Sequence, residues 1–176
     1  MVGISFHLLF AIQTLRIRCL SILHPNQNYH HLSLPITNTR HTIRADLIAP
    51  ITDPEHPLTL ASLSVINLPD ITLRPLPPPS SHLTQCTVLI TPTITHCSLA
   101  TVIGLGVRVR LEQALPPRFR VDVRIKEGTH STAEQVTRQL ADKERVAAAL
   151  ENGTLVGVIR KMLEGCENGN VVPSGE

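Results

Sequence analysis

Between residues 118 and 126 apolar and polar side chains alternate without a break. Phe119, Val121, Val123 and Ile125 take one parity; Arg118, Arg120, Asp122, Arg124 and Lys126 take the other. Successive strand side chains point to opposite faces, so this spacing predicts a β-strand with one buried face and one mostly basic, solvated face. Two β-like runs precede it, Val65–Leu73 and Cys86–Thr91. They flank Arg74-Pro-Leu-Pro-Pro-Pro-Ser-Ser-His82, and consecutive prolines cannot join a sheet interior because they lack N–H donors. The pattern predicts a hairpin with a long, stiff connection. The proline-rich stretch reads more simply as a spacer than as a ligand for another domain.

Two helices are predicted beyond the alternating strand. Ser131 stands three residues before Glu134, the spacing of a capping box, and Val136, Leu140 and Val146 to Leu150 supply apolar turns. Asn152-Gly153 is a helix stop, and Thr154 can cap a second helix with Leu155, Val158, Ile159, Met162 and Leu163 on one face. Residues 98–112 are ambiguous. Ser98 to Gly106 is nearly all apolar, whereas Val107-Arg-Val-Arg-Leu-Glu112 alternates like a strand. Gly104 and Gly106 would each cost a helix about 1 kcal/mol. A buried helix opened by Ser98 and ended by Pro116-Pro117 is the preferred of the two.

Composition narrows the function classes. Of the 176 residues 42% are apolar, enough for one domain with a real core, but aromatics are only 2%. That argues against base-stacking nucleic-acid modules. A net charge of +2 is too weak to imply nucleic acid or a membrane surface as partner. Charge is uneven: residues 1–52 carry four arginines and one acid, and residues 53–176 carry twelve bases and thirteen acids. The apolar run Val2–Ile12 is broken by Gln13, Arg16 and Arg18, short of the roughly 20 residues of a membrane span. It lacks the flanks of a secretory signal, and its arginines resemble a mitochondrial presequence only in part. Residues 1–42 are expected to be a disordered or atypical tail, with His7, His24, His30, His31 and His41 solvated, and residues 167–176 a flexible tail. Cys19, Cys86, Cys97 and Cys166 form no zinc-type spacing and read as reduced thiols.

Three segments carry candidate chemistry. Cys97 ends Thr91-Pro-Thr-Ile-Thr-His-Cys97, and if Ser98 opens a helix the free N–H groups there favour a thiolate. His96 could assist it or ligate a metal; a buried structural cysteine is the plainer alternative. Asp53-Pro-Glu-His-Pro57 places Asp53 and Glu55 on either side of a turn-fixing proline, where Asp53 can accept backbone N–H bonds. Acid–base catalysis by this pair lacks a nucleophile nearby in sequence. Gly128-Thr-His130 falls at a strand-to-helix junction and aims His130 at the sheet end, or is a plain loop. No phosphate-binding glycine loop and no G-x-S-x-G elbow occurs.

Five segments in series resemble the eukaryotic cytosolic iron–sulfur assembly component 2 family, also called the MMS-nineteen-interacting protein family. They are Asp53-Pro-Glu-His-Pro-Leu-Thr-Leu60, Thr91-Pro-Thr-Ile-Thr-His-Cys-Ser-Leu-Ala-Thr-Val-Ile-Gly-Leu105, Leu115-Pro-Pro-Arg-Phe-Arg-Val-Asp-Val123, Gly128-Thr-His130 and Asp142-Lys-Glu-Arg-Val-Ala-Ala-Ala-Leu-Glu-Asn152. With the elements above, the resemblance implies an α/β (α+β) fold for residues 43–166: a short mixed sheet, hairpin plus one strand, with three to four helices. It favours a helix for 98–112. It departs from the family at the short Ile43–Ile51 segment, in the proline-rich loop and throughout residues 1–42.

The resemblance implies a non-enzymatic member of the cytosolic iron–sulfur targeting complex, beside a β-propeller and a HEAT-repeat subunit. Such a complex promotes 4Fe–4S insertion into cytosolic and nuclear apoproteins, with an indirect link to chromosome segregation. No nucleic acid or membrane partner is implied, and the location is cytoplasmic, extending to the nucleus. The family's reactive cysteine falls on Cys97 and its acidic turn on Asp53 and Glu55. A 4Fe–4S cluster needs four ligands, so one thiolate implies no stably bound cofactor. A transient cluster would draw ligands from a second protomer in a homodimer, a partner or a client. Two alternatives stay open: a thiol enzyme with Cys97 as nucleophile and His96 or His130 as base, and a purely structural adaptor. A metal at His96, Cys97 and His130 is a further option.

Overall fold

The alternating stretch folds as predicted into a strand, and its placement organises the rest of the domain. In a computed structural model, described for residues 43–78, 82–93 and 99–166, strands β1 (Ile71–Pro75), β2 (Thr84–Ile90) and β3 (Phe119–Ile125) form one sheet in the order β1-β2-β3. β1 pairs antiparallel with β2, and β2 pairs parallel with β3, Cys86 facing Val121 and Ile90 facing Ile125. The sheet is mixed, and four α-helices accompany it among the described residues. This is the small α/β arrangement expected. None of those helices is long and apolar enough to cross a membrane.

A parallel pair needs a crossover, and helix α1 (Leu99–Ala114) supplies it. Its buried residues include Ile103, Leu105, Val107, Val109 and Leu111, together with Gly104, Gly106 and Arg108. They go nearly all the way round, because α1 packs against β3, the later helices and a helical turn at Ile43–Ile48. Burial on several sides erases helical periodicity, which is why Val107 to Leu111 mimics a strand. Both glycines answer to packing. A Cβ on Gly104 would run into the Leu140 side chain, and one on Gly106 would lie 3.0 Å from Met162 Cε.

The first of the two predicted helices is in fact two. Helices α2 (Ala133–Ala141) and α3 (Lys143–Glu151) are split by Asp142, whose backbone is extended and whose Oδ1 accepts from Glu144 N at 3.0 Å and Arg145 N at 3.2 Å. The break strands the last carbonyls of α2, and buried Arg108 donates from Nη1 to the Leu140 carbonyl. Asn152 repeats the device for helix α4 (Gly153–Leu163), accepting from Thr154 N and Leu155 N. Asn152 is therefore the cap in place of Thr154, and Gly153 opens the helix rather than ending one. The Ser131 box does not set the start of α2 either; Thr132 holds the cap position, without a side-chain cap bond.

The hairpin also differs at its beginning. Val65 and Ile66 are buried outside the sheet, and a 3-10 turn at Leu68–Asp70 containing Pro69 delays β1 to Ile71. One arginine of α1 ties together the first and last described segments. Arg110 donates from Nε to Leu47 O at 3.3 Å and from Nη2 to Cys166 O at 3.2 Å.

The glycine packing predicts opposite outcomes for one substitution type. Gly104→Ala is expected to destabilise by about 1–3 kcal/mol through overpacking against Leu140, despite the gain in helix propensity. Gly157→Ala in α4, where an added Cβ meets nothing within 4 Å, is expected to stabilise by about 0.5–1 kcal/mol. Thermal or urea denaturation of the two variants checks both signs.

Candidate functional site

In α/β folds the crevice beyond the carboxyl ends of parallel strands is open to loops and helix N-termini. Here that end is where β2 and β3 finish, tied by Lys126 N donating to Ile90 O at 2.8 Å. Thr91 continues from β2 and donates to Val65 O at 3.0 Å. Lys126 reaches sideways with Nζ 2.9 and 3.1 Å from the two oxygens of buried Asp70. Fifty-six residues separate this pair, so no local pattern in the sequence announces it.

The Gly128 turn follows at once. Gly128 has φ 77°, a left-handed conformation that suits glycine, and Thr129 Oγ1 donates to Lys126 O at 2.6 Å. His130 is buried. Its Nδ1 accepts from Thr132 N at 3.2 Å and lies 3.2 Å from Thr132 Oγ1. A backbone N–H can only donate, so Nδ1 is the acceptor of this bond. His130 thus acts as a helix-entry acceptor for α2, and Nδ1 is taken up by that work.

The acidic turn is a closed loop. Thr52 bridges Thr59, Asp53 N donates to Leu58 O at 2.9 Å, and Leu60 N donates to Ile51 O at 2.8 Å. Inside it, buried Asp53 uses Oδ1 to accept from Glu55 N at 2.8 Å and His56 N at 2.9 Å, with His56 Nδ1 at 3.1 Å. The two acids therefore do different work. Asp53 orders the loop, while Glu55 is exposed together with His56, Pro57 and Leu58, the last at 48%. Val65 N donates to Leu60 O at 3.0 Å, so a run of backbone bonds links this loop through Val65 to Thr91 at the strand end.

His96 and Cys97 lie outside the described residues, as does Cys19; Leu99, two residues after Cys97, begins α1. Of the residues His96, Cys97 and His130 named for a metal, only His130 is described. Among the described residues no group of three or more His, Cys, Asp or Glu side chains could hold a metal ion. Cys86 is fully buried in the central strand. Burial, with Asp122's negative charge adding, pushes its thiol from 9.0 up to about 12. It is no nucleophile near neutral pH.

These features define a small α/β domain whose ordered turns gather around the carboxyl end of a parallel strand pair. No family model matches the chain, but several curated proteins do. A MIP18 family protein of Saccharomyces cerevisiae is 58% identical over 122 residues, 69% of this chain and 52% of the yeast protein. The MIP18 family protein galla-2 of Drosophila melanogaster is 52% identical over 118 residues, 67% of this chain and 72% of the fly protein. The mouse protein named cytosolic iron-sulfur assembly component 2B is 50% identical over 118 residues, 67% of this chain and 69% of its own length. The match covers about half the length of the yeast relative. The chain belongs to the MIP18 family, as the resemblance read from the sequence implied.

Two outcomes follow from the local chemistry. Asp53→Ala is expected to lose about 1–2 kcal/mol of stability, since it strands two backbone donors, whereas Glu55→Ala should leave stability unchanged within about 0.5 kcal/mol. Equal losses on chemical denaturation would contradict this division. Cys86 is expected to resist alkylation in the folded chain and to react on unfolding. Its native thiol ionises later than its unfolded one, so its stabilising contribution is complete below pH 9 and falls away as pH rises towards about 12. Alkaline titration of folding stability, compared with Cys86→Val, reads this slope.

Proposed function

We propose that the protein is a non-enzymatic component of cytosolic iron–sulfur cluster assembly. It works within a targeting complex beside β-propeller and HEAT-repeat subunits and handles 4Fe–4S clusters as cargo for cytosolic and nuclear apoproteins. The observation that carries this reading is the 50% identity, over two thirds of both chains, to a mouse protein named as a cytosolic iron–sulfur assembly component. Cys97 is the functional thiol of the proposal. One thiolate holds only part of a 4Fe–4S cluster, so handover is transient and completed by ligands from a partner, a client or a second protomer.

The acidic turn supports this role physically. Asp53 fixes the loop by local bonds, so Glu55 and Leu58 are held in place before any partner arrives, which lowers the ordering cost of association. His130 fits a supporting part better than that of a general base, because its Nδ1 accepts a backbone N–H. The protein acts in the cytoplasm and also in the nucleus, and its link to chromosome segregation is indirect, through its clients.

Cells whose only copy is Cys97→Ser test the proposal. Cluster occupancy of 4Fe–4S clients, measured by radioiron incorporation, is expected to fall severalfold, while the variant's folding stability changes by less than about 1 kcal/mol. The tagged chain should copurify with a β-propeller and a HEAT-repeat protein. Normal client occupancy in these cells would leave a structural adaptor. Turnover of a small substrate by the purified chain, lost on Cys97→Ser, would make it a thiol enzyme.

A further inference from the structure

The sheet has a second face. Ile71, Cys86, Val88, Ile90, Val123 and Ile125 mark the buried one, and α1 and α2 pack on β3. The opposite face carries Arg74, Arg120 and Arg124, all exposed. Strand register orders them. Arg74 pairs with Gln85, and Gln85 pairs with Arg120. The two arginines therefore stand in one row across the sheet, two interstrand spacings or roughly 10 Å apart. In the adjoining row lie Thr72, Thr87 and Asp122.

The single acid on this face is already engaged. Asp122 Oδ2 accepts from Gln85 Nε2 at 3.0 Å and pairs with Arg124 Nη2 at 2.7 Å. The guanidinium groups of Arg74 and Arg120 have no ion-pair or hydrogen-bond partner among the described residues. A net positive face stands out in residues 53–176, where acids outnumber bases by thirteen to twelve.

We propose that this open sheet face docks an acidic helix of a partner protein, with two carboxylates two turns apart meeting Arg74 and Arg120. Residues i and i+7 of a helix are separated by about 10.5 Å along its axis, the spacing of the two arginines. Guanidinium groups bind carboxylates in a bidentate fork. Gln85, between them, is engaged with Asp122, and Thr72 and Thr87 in the adjoining row are short, which leaves a low floor for a helix to cross. Nucleic acid fits less well, since the face has no aromatic ring to stack a base. An anionic membrane calls for a denser cluster of cations than one row of two arginines. The inference concerns a surface remote from Cys97 in sequence and stands independently of the iron–sulfur reading.

The test places a photo-crosslinking benzoylphenylalanine at position 87 of the full chain in cells and identifies the crosslinked segment by mass spectrometry. The expected segment belongs to another protein, is helical and carries carboxylates seven residues apart. Its yield should fall about tenfold or more in Arg74→Glu/Arg120→Glu. Arg74→Gln/Arg120→Gln, which removes charge without reversing it, should show a smaller loss in the same direction, with an unchanged thermal midpoint. Crosslinks to this chain's own residues, to nucleic acid or to lipid would overturn the proposal. So would a second copy held through Glu144 and Glu151, which are exposed on α3 at the same spacing. Absence of any crosslink, or a yield that ignores both charge changes, would overturn it as well.

Discussion

A helix with apolar residues on nearly every side has to be covered on nearly every side, and the domain is arranged around that requirement of α1. The sheet covers one flank through β3. Helices α2 and α4 and the turn at Ile43–Ile48 cover others. Gly104 and Gly106 let Leu140 and Met162 approach closely, so the two residues that weaken α1 as an isolated helix are those that let it sit at the centre. The same helix carries two arginines into this setting. Arg108 and Arg110 have their donors matched to carbonyls that helix ends and turns leave over, those of Leu140, Leu47 and Cys166. Each guanidinium thus removes an unsatisfied acceptor, and for buried Arg108 such a partner is a condition for burying the charge at all.

How much of this was legible in the sequence depends on how far the deciding interaction lies along the chain. β3 and α4 are half-solvated, so their periods survive in the sequence and both were readable. α1 is enclosed, so its period is lost; the helix was preferred there only on its flanking Ser98 and Pro116-Pro117, and the family resemblance favoured it as well. The division at Asp142 was not readable. Aspartate is tolerated inside helices, and what ends α2 is a combination of an extended backbone at Asp142, its own side-chain bonds and Arg108 arriving from 32 residues away. The ordering role of Asp53 was readable because its partners are two and three residues on. The capture of His130 by Thr132 is equally local, yet histidine is an uncommon cap and gave no comparable signal. Asp70 and Lys126 meet only once β1, β2 and β3 have been placed side by side.

The parallel pairing of β2 with β3 has a consequence for where chemistry can sit. Both strands end on the same side, so their following loops, Thr91 onwards and Lys126 onwards, leave the sheet together. An antiparallel pair would send those loops to opposite ends. The Gly128 turn and Thr91 are thereby brought to one edge of the domain, and the Asp53 loop is linked to that edge through Leu60 and Val65. The Gly128 turn and the Asp53 loop are held by their own hydrogen bonds. That combination gives ordered backbone with side chains such as Glu55 and Leu58 left exposed.

Charged residues in this domain fall into two groups with different physical consequences. Asp53, Asp70, Arg108 and Arg110 each complete the hydrogen bonding of some buried or half-buried group, so changing one leaves an orphan and costs stability. Arg74, Arg120 and the carboxylate of Glu55 complete nothing within the described residues. An exposed charge without an internal partner contributes little to folding, so nothing in the fold constrains its identity. Whatever constrains it must come from outside the domain, through the field it presents and the groups it can meet. The division follows the architecture: the first group serves helix ends, turns and strand ends, and the second lies on the open sheet face and at the tip of the acidic loop. Stability thus draws on the first set, and a change in the second set leaves the core around α1 as it is.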